Sequence, residues 1–429
     1  MFDTYRLILI IVVTLLPFFW IFKLKDFNSK LFFGLFLLAF FTYSGLGGSL
    51  KEVDEHYFSY YVIYTFFISI GLYLGRGRNN KCVVRKSTEN KLTKLIDKYG
   101  TTIIIGFFLL KLTSLIYPQF LLHRLIVPPA PDLTSVFAER FETQESSFFE
   151  SITYYLLSLL SPFFFLSLYK YRFKPWKLVL LLIIIPYIDY CRVGYIGRGD
   201  MLQYLFIIIA TLYLFIPRMR KLIVISFAIF LPTLIIFMVN YTQIRIGGTA
   251  SVANTFDALE QLIYSESNYP LWFSTIYNEP FDPNNLIAYL KWLLTLPIPG
   301  FLKSNTGLRG DELAGLLLGI NSGQRGFYIV LPGLVGESVY YFGKYLFWIH
   351  SLLVGWLLGY TFRILNKNHQ MHILLFYSTF ILTYFINRGG TGSGLPFILK
   401  VLLVFYIIIY LYSRYRIRYG ITNLAGTQS

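Results

Sequence analysis

The sequence predicts an all-α polytopic membrane protein with about eleven transmembrane helices and one large external loop subdomain. Composition, the spacing of apolar stretches and the charge of the segments between them predict it. Of 429 residues, 55% are hydrophobic and 14% charged, with a mean hydropathy of +0.57, whereas soluble domains carry about 25% charged residues. With 42 Phe and 35 Tyr against 38 Lys+Arg and 22 Asp+Glu, there is more apolar surface than one aqueous core can hide. The two cysteines, Cys82 and Cys191, exclude a disulfide scaffold or a Cys-rich zinc site.

A hydrocarbon layer of about 30 Å needs about 20 apolar helical residues. Eleven stretches meet that need approximately: 5–22, 31–50, 57–75, 99–117, 149–168, 178–191, 201–217, 222–240, 344–365, 371–387 and 395–412. The first is long, aromatic and followed by Lys23 and Lys25 rather than a cleavage site, so it reads as a retained span. The basic connections are 23–30, 76–98, 169–177, 218–221, 363–370 and the tail from Arg414. Placing alternate connections in the cytoplasm puts every one of these inside, with the N-terminus outside and the C-terminus inside. The cytoplasmic side then holds 23 Lys/Arg against 3 Asp/Glu, and the external side 12 against 19. The net charge of +16 is therefore a topology signal and an attraction to anionic lipid, not a nucleic-acid patch. Cys82 and Cys191 fall on opposite sides.

The chain divides into 1–240, carrying the first eight spans, 241–326, the large external loop, and 327–429, carrying a re-entrant segment and the last three spans. The first external loop, 51–56, is short and acidic, and the next, 118–148, contains Pro128, Pro129 and Pro131 followed by acids. The large loop holds eleven aromatics, Trp272 and Tyr277 among them, which suit the apolar faces of sugar rings or form the core of a small subdomain. Asp282 as N-cap with Pro283 at the first position predicts an amphipathic helix over 284–296, with Leu286, Leu290, Leu293 and Leu294 on its apolar side, lying in the outer interface. From Gly326 to Gly343 an apolar stretch is broken by Pro332, Gly333, Gly336 and Glu337, which reads as a re-entrant or broken helix lining protein or a water-filled cavity. Glu337 is then either a functional acid or base, or the structural partner of an arginine.

Arginines on the external side run against the insertion rule. Arg198, Arg245 and Arg388 sit beside or near glycine at external ends of spans, and Arg309 and Arg325 lie late in the large loop. Glycine permits close backbone approach, and arginine offers a planar fork that matches phosphate oxygens. The helices after Gly199-Asp200 and after Gly389 to Gly394 aim N-termini at the same anion. The alternative is that these arginines pair with Asp189, Asp200 or Glu337, or with lipid phosphate. There is no Gly-x-Ser-x-Gly, Walker loop, His-Glu-x-x-His or Cys-x-x-Cys. The five histidines are scattered, His369 and His372 reading as surface or helix-cap residues.

From about 190 to 400 the order of motifs resembles the Wzy-type O-antigen and capsule repeat-unit polymerases. The carrying residues are Gly197-Arg198-Gly199-Asp200, Leu296-Pro297-Ile298-Pro299-Gly300-Phe301-Leu302-Lys303, Pro332-Gly333-Leu334-Val335-Gly336-Glu337-Ser338-Val339-Tyr340-Tyr341-Phe342-Gly343, and Arg388-Gly389. The resemblance implies a GT-C-like glycosyltransferase at the outer face of the bacterial cytoplasmic membrane. Its substrates are undecaprenyl-pyrophosphate-linked oligosaccharides in a lipid bilayer, it needs no cofactor or metal, and it works beside a chain-length-regulating co-polymerase. On that basis Arg198, Arg245 and Arg388, with Arg325 and Arg309, are expected at the pyrophosphates, Glu337 or Asp311 at the acceptor hydroxyl, and Trp272 and Tyr277 at the sugars. The related O-antigen ligases use a histidine in their large external loop, and none stands between Tyr241 and Arg325 here. A monophosphate-donor enzyme using Asp54-Glu55 with a metal or as base is a second enzymatic reading. A lipid-linked oligosaccharide flippase is the rival of another class, though no internal repeat supports it.

Overall fold

The structure, a computed structural model, describes residues 3–77, 86–117, 119–130, 148–245, 254–298, 309–320 and 332–412. Among the described residues the chain is helical, without β-strands. The main helices are α1 (Thr4–Leu15), α2 (Phe27–Phe40, continued by a π turn over Phe41–Leu46), α3 (His56–Arg76), α4 (Lys86–Leu112), α5 (Phe148–Ser167), α6 (Pro175–Val193), α7 (Arg198–Phe215) and α8 (Arg220–Arg245). They continue as α9 (Thr255–Ser267), α10 (Phe273–Asn278), α11 (Pro283–Thr295), α12 (Arg309–Leu318), α13 (Gly333–Leu365), α14 (His372–Phe380, extended by a π turn over Ile381–Phe385 and by Ile386–Gly389) and α15 (Thr391–Tyr412). Most of each expected apolar stretch is helical where described, with non-helical residues at 16–18, 49–50, 116–117 and 216. Among the described residues six helices are long and apolar enough to cross a membrane, or seven when a pair bent by 48°, Pro217–Phe227 with Ile229–Tyr241, counts as one. The stretches 99–117 and 178–191 lie in α4 and α6 and carry charge inside them. Lys111 Nζ meets Asp189 Oδ1 at 2.6 Å, so each helix supplies the counter-ion that makes the other tolerable in an apolar setting.

Contacts order the helices. Parallel to α3 runs α1, with Asp3 N on Ser49 O at 2.8 Å, Thr14 Oγ1 and Tyr61 Oη at 2.5 Å, and Trp20 Nε1 on Ser69 Oγ at 3.0 Å. The second part of α13 also runs parallel to α3, from the Tyr60–Phe347 contact to the Gly77–Arg363 contact. In the opposite sense, α2 and α14 run together, from Asn28 beside His372 to Tyr43 beside Tyr384. One end of the bundle thus gathers Lys23, Arg76 and Arg363, and the other gathers Asp3, Asp54, Arg198 and Arg388. His372, expected at a surface or cap, starts α14 but is 7% exposed and lies 3.2 Å from Asn28 Nδ2.

The closest pair is α3 with α13. Gly71 and Gly75 face Gly355 and Gly359, and a Cβ on Gly355 or Gly359 would strike the carbonyl oxygen of Ile68 or Leu72. Two Gly-x-x-x-Gly stretches thus bring the backbones together, where dispersion and not water exclusion holds helices in lipid. Gly355→Leu is expected to cost about 1–3 kcal/mol and lower the thermal unfolding midpoint of the solubilised protein. Gly34→Leu, at a position with nothing within 4 Å, is the control that leaves the midpoint unchanged.

Candidate functional site

The candidate site is built on the first ten residues of α13. Pro332 precedes it, Gly333 starts it with a φ of 70°, and Gly343 breaks it with a φ of 73°, so the described part, 332–343, of the segment expected to be re-entrant or broken is a buried helix kinked into the longer one at Gly343, while 326–331 lie outside the described residues. Only a glycine takes that conformation at no steric cost, and a Cβ there would also press on the Phe281 ring at 2.9 Å. Residues 333–339 and 341–343 are buried, and Glu337 is 7% exposed. A carboxyl group in such surroundings must find donors within the protein.

Those donors come from the turn between α14 and α15. Glu337 Oε2 accepts from the Thr391 N–H at 2.6 Å, and Oε1 accepts from the Thr391 hydroxyl. The Gly392 N–H is also directed at the carboxyl group. Glu337 is therefore held by the N-terminus of the last helix. This corrects one expectation: the amides after Gly389 already face a protein acid rather than awaiting a substrate anion. Gly390, with a φ of 66°, lets the chain pass, since a Cβ there would collide with Glu337 Oε2.

The network continues outward. Tyr289 Oη donates to Thr391 Oγ1 at 2.8 Å and lies 3.4 Å from His350 Nε2. Because the single phenolic proton goes to Thr391, a hydrogen bond from His350 requires the proton on Nε2. Its Nδ1 then has no partner among the described residues, and neither does the buried Tyr64 hydroxyl. Tyr289 reaches this position because α11 turns it inward and stacks it on Tyr341 with ring centroids 4.5 Å apart. The N-cap of α11 is as expected, Asp282 Oδ1 accepting from Asn284 N at 2.9 Å with Pro283 at the first position. Its inward face is Leu286, Tyr289, Leu293 and Leu296, while Leu290 and Leu294 are 45% and 80% exposed. Along with Ile287 they form a second apolar face, suited to the membrane interface.

Arg388 stands one turn before Thr391, and Arg198 begins α7; both are half-buried. A Cβ on Gly199 would lie 3.0 Å from the Phe385 ring, so the first turn of α7 packs on the segment leading into Arg388. Three expected residues, Glu337, Arg198 and Arg388, therefore gather around one turn, 385–391. Side-chain hydroxyls and amides tighten the approach to it: Thr383 Oγ1 donates to Thr379 O at 2.8 Å and Asn387 Nδ2 to Thr383 O at 2.6 Å. The π turns at Ile381–Phe385 and Phe397–Leu402 lie on either side of it, a feature frequent near functional sites.

A cleft of ≈ 400 Å³ opens against α10, α11 and the Gly343 break, lined by Glu279, Phe281, Asn285, Tyr340, Lys344 and Tyr345 among others. Tyr277 borders it through Lys344, whose Nζ is 3.9 Å from the Tyr277 ring centroid, and Tyr277 also stacks on His56 at 4.5 Å. Trp272 is half-buried against the hydrophobic core. Asp54, the alternative acid, holds the start of α3, its Oδ1 accepting from His56 N at 2.8 Å. The backbones of Arg309 and Asp311 lie in α12 and that of Arg245 ends α8, but their side chains lie outside what is described, and Arg325 lies outside the described residues. Sequence reasoning missed Thr391, Tyr289 and His350. A histidine in the middle of an apolar span was the available signal, because such a residue is expensive unless partnered. Compared with known proteins, the chain matches no family model, no curated protein and no solved structure.

Proposed function

We propose that the chain is a lipid-linked repeat-unit polymerase of GT-C type with eleven spans, working at the outer face of the bacterial cytoplasmic membrane. The observation that carries this reading is the buried Glu337, held at one turn with Arg198 and Arg388. In the reaction, a hydroxyl of the incoming unit attacks the anomeric carbon of the growing glycan. The carbon–oxygen bond to undecaprenyl pyrophosphate breaks, and the hydroxyl proton passes to Glu337. Arg198 and Arg388 take up the charge that develops on the diphosphate. Tyr289 closes the site from the α11 side, so the acceptor reaches Glu337 when α11 shifts. The aromatic and polar walls of the cleft beside Gly343 suit a saccharide, whose rings stack on aromatics and whose hydroxyls need hydrogen-bonding partners.

Deleting the gene and measuring surface glycan length tests the reading. The expected result is loss of long chains with single capped units remaining. Loss of all surface glycan would transfer the assignment to a ligase or a flippase.

A further inference from the structure

At the basic end of the bundle, far from Glu337, an open cleft of ≈ 530 Å³ lies between the chain that follows α1 and the last two turns of α3. Its walls are built, not incidental. Helix α1 ends before Pro17, and a 3-10 turn over Phe19–Lys23 brings Trp20 and Lys23 round to face α3. Trp20 Nε1 donates to Ser69 Oγ at 3.0 Å, and the Ser69 hydroxyl donates to the Pro17 carbonyl at 2.7 Å, which ties the two elements together at the floor. Tyr73 meets Trp20 edge-on at 5.6 Å, and the Arg76 guanidinium carbon lies 5.7 Å from the Trp20 ring centroid.

Lys23 and Arg76 thus place two cations on one cleft, and none of its lining residues is acidic. The acid that acts on Arg76, Asp26, is outside the lining and caps α2, accepting from Ser29 N at 2.9 Å. The surroundings are apolar and exposed: Leu16, Phe19, Phe22 and Leu74 are 72%, 61%, 64% and 57% accessible. In a membrane-spanning chain these side chains meet acyl chains, with Trp20 and Tyr73 at the depth where amphipathic rings settle.

We propose that this cleft binds an anionic phospholipid, its phosphate held by Lys23 and Arg76 and its acyl chains lying along Leu16, Phe19 and Phe22. The guanidinium fork and the ammonium group match phosphate oxygens. A free phosphate offers the same charge but leaves the apolar rim uncovered, so the lipid is the occupant that satisfies both halves of the site. The inference does not depend on the glycosyl-transfer reading.

The test is native mass spectrometry of the full chain released from phosphatidylcholine nanodiscs doped with phosphatidylglycerol, together with thermal unfolding in the same nanodiscs. The unaltered protein is expected to retain phosphatidylglycerol in preference to phosphatidylcholine and to unfold at a higher temperature when it is present. A Lys23→Gln/Arg76→Gln variant is expected to retain it about twenty-five-fold less, two basic groups at a headgroup contributing about fivefold each. Lys174→Gln/Lys177→Gln, which removes two exposed cations outside the cleft, is expected to retain it as before. Equal retention of both lipids by the unaltered protein would overturn the proposal, as would equal losses in the two double variants. Inorganic phosphate alone raising the unfolding temperature as the lipid does would also overturn it, by showing an anion site with no lipid requirement.

Discussion

Replacing Glu337 by glutamine is expected to lower chain elongation by about 10²–10⁴-fold while the protein stays in the membrane at its normal level, the range that losing a positioned general base produces. The two halves of this expectation separate chemistry from structure. The carboxyl group accepts from the Thr391 N–H on one oxygen and from the Thr391 hydroxyl on the other; in glutamine the amide oxygen accepts from the N–H and the NH2 donates to the hydroxyl oxygen, so the junction of α13 with α15 survives the substitution. What is lost is the ability to take a proton. Glu337→Leu behaves differently: it leaves the Thr391 N–H buried without a partner, at about 1–3 kcal/mol for such a group. It also frees the Thr391 hydroxyl, to which Tyr289 donates, and so loosens α11. Membrane abundance measured by immunoblot beside glycan length distinguishes the two. Glutamine with full activity would leave Glu337 as a helix-capping strut and remove it from the reaction.

Arg388→Ala and Arg198→Ala are each expected to reduce turnover by about 10²–10³-fold, the usual effect of removing one preorganised donor to a developing negative charge. The loss should appear in kcat more than in KM, because the diphosphate gains charge only as the glycosidic bond breaks. Arg388→Lys restores only part of the activity, since an ammonium cannot reproduce the two-pronged contact. If both arginines serve one leaving group, the double variant loses less than the product of the single losses. Strictly multiplicative losses would place them on separate anions.

The fold was legible where hydrophobicity decides it. Apolar stretches became largely helical, Lys23, Arg76 and Arg363 of the basic connections gathered at one end, the Asp282-Pro283 start of α11 formed, and the glycines around Glu337 marked a broken helix. Each of these is a local property of the chain. The site was legible by residue type but not by partner. Glu337 stood out as an acid in apolar surroundings, yet the threonine that holds it stands 54 positions away in the chain. Tyr289, His350 and Thr391 meet across separations of 61 and 102 residues, which no spacing rule detects. The facing Gly71/Gly75 and Gly355/Gly359 pairs are visible as motifs, but only the packing of α3 on α13 shows that they face each other. On α11, Leu290 and Leu294 followed the helical period onto the outer face, because the helix is apolar on both sides and periodicity alone does not say which side the core takes.

Reconstitution tests the central assignment most directly. The purified full chain is placed in proteoliposomes with undecaprenyl-pyrophosphate-linked repeat units, and glycan length and released undecaprenyl pyrophosphate are measured together. The account predicts a ladder of longer glycans with one undecaprenyl pyrophosphate released per new linkage, and neither product with Glu337→Gln. Movement of the units across the bilayer with no linkage formed would contradict it.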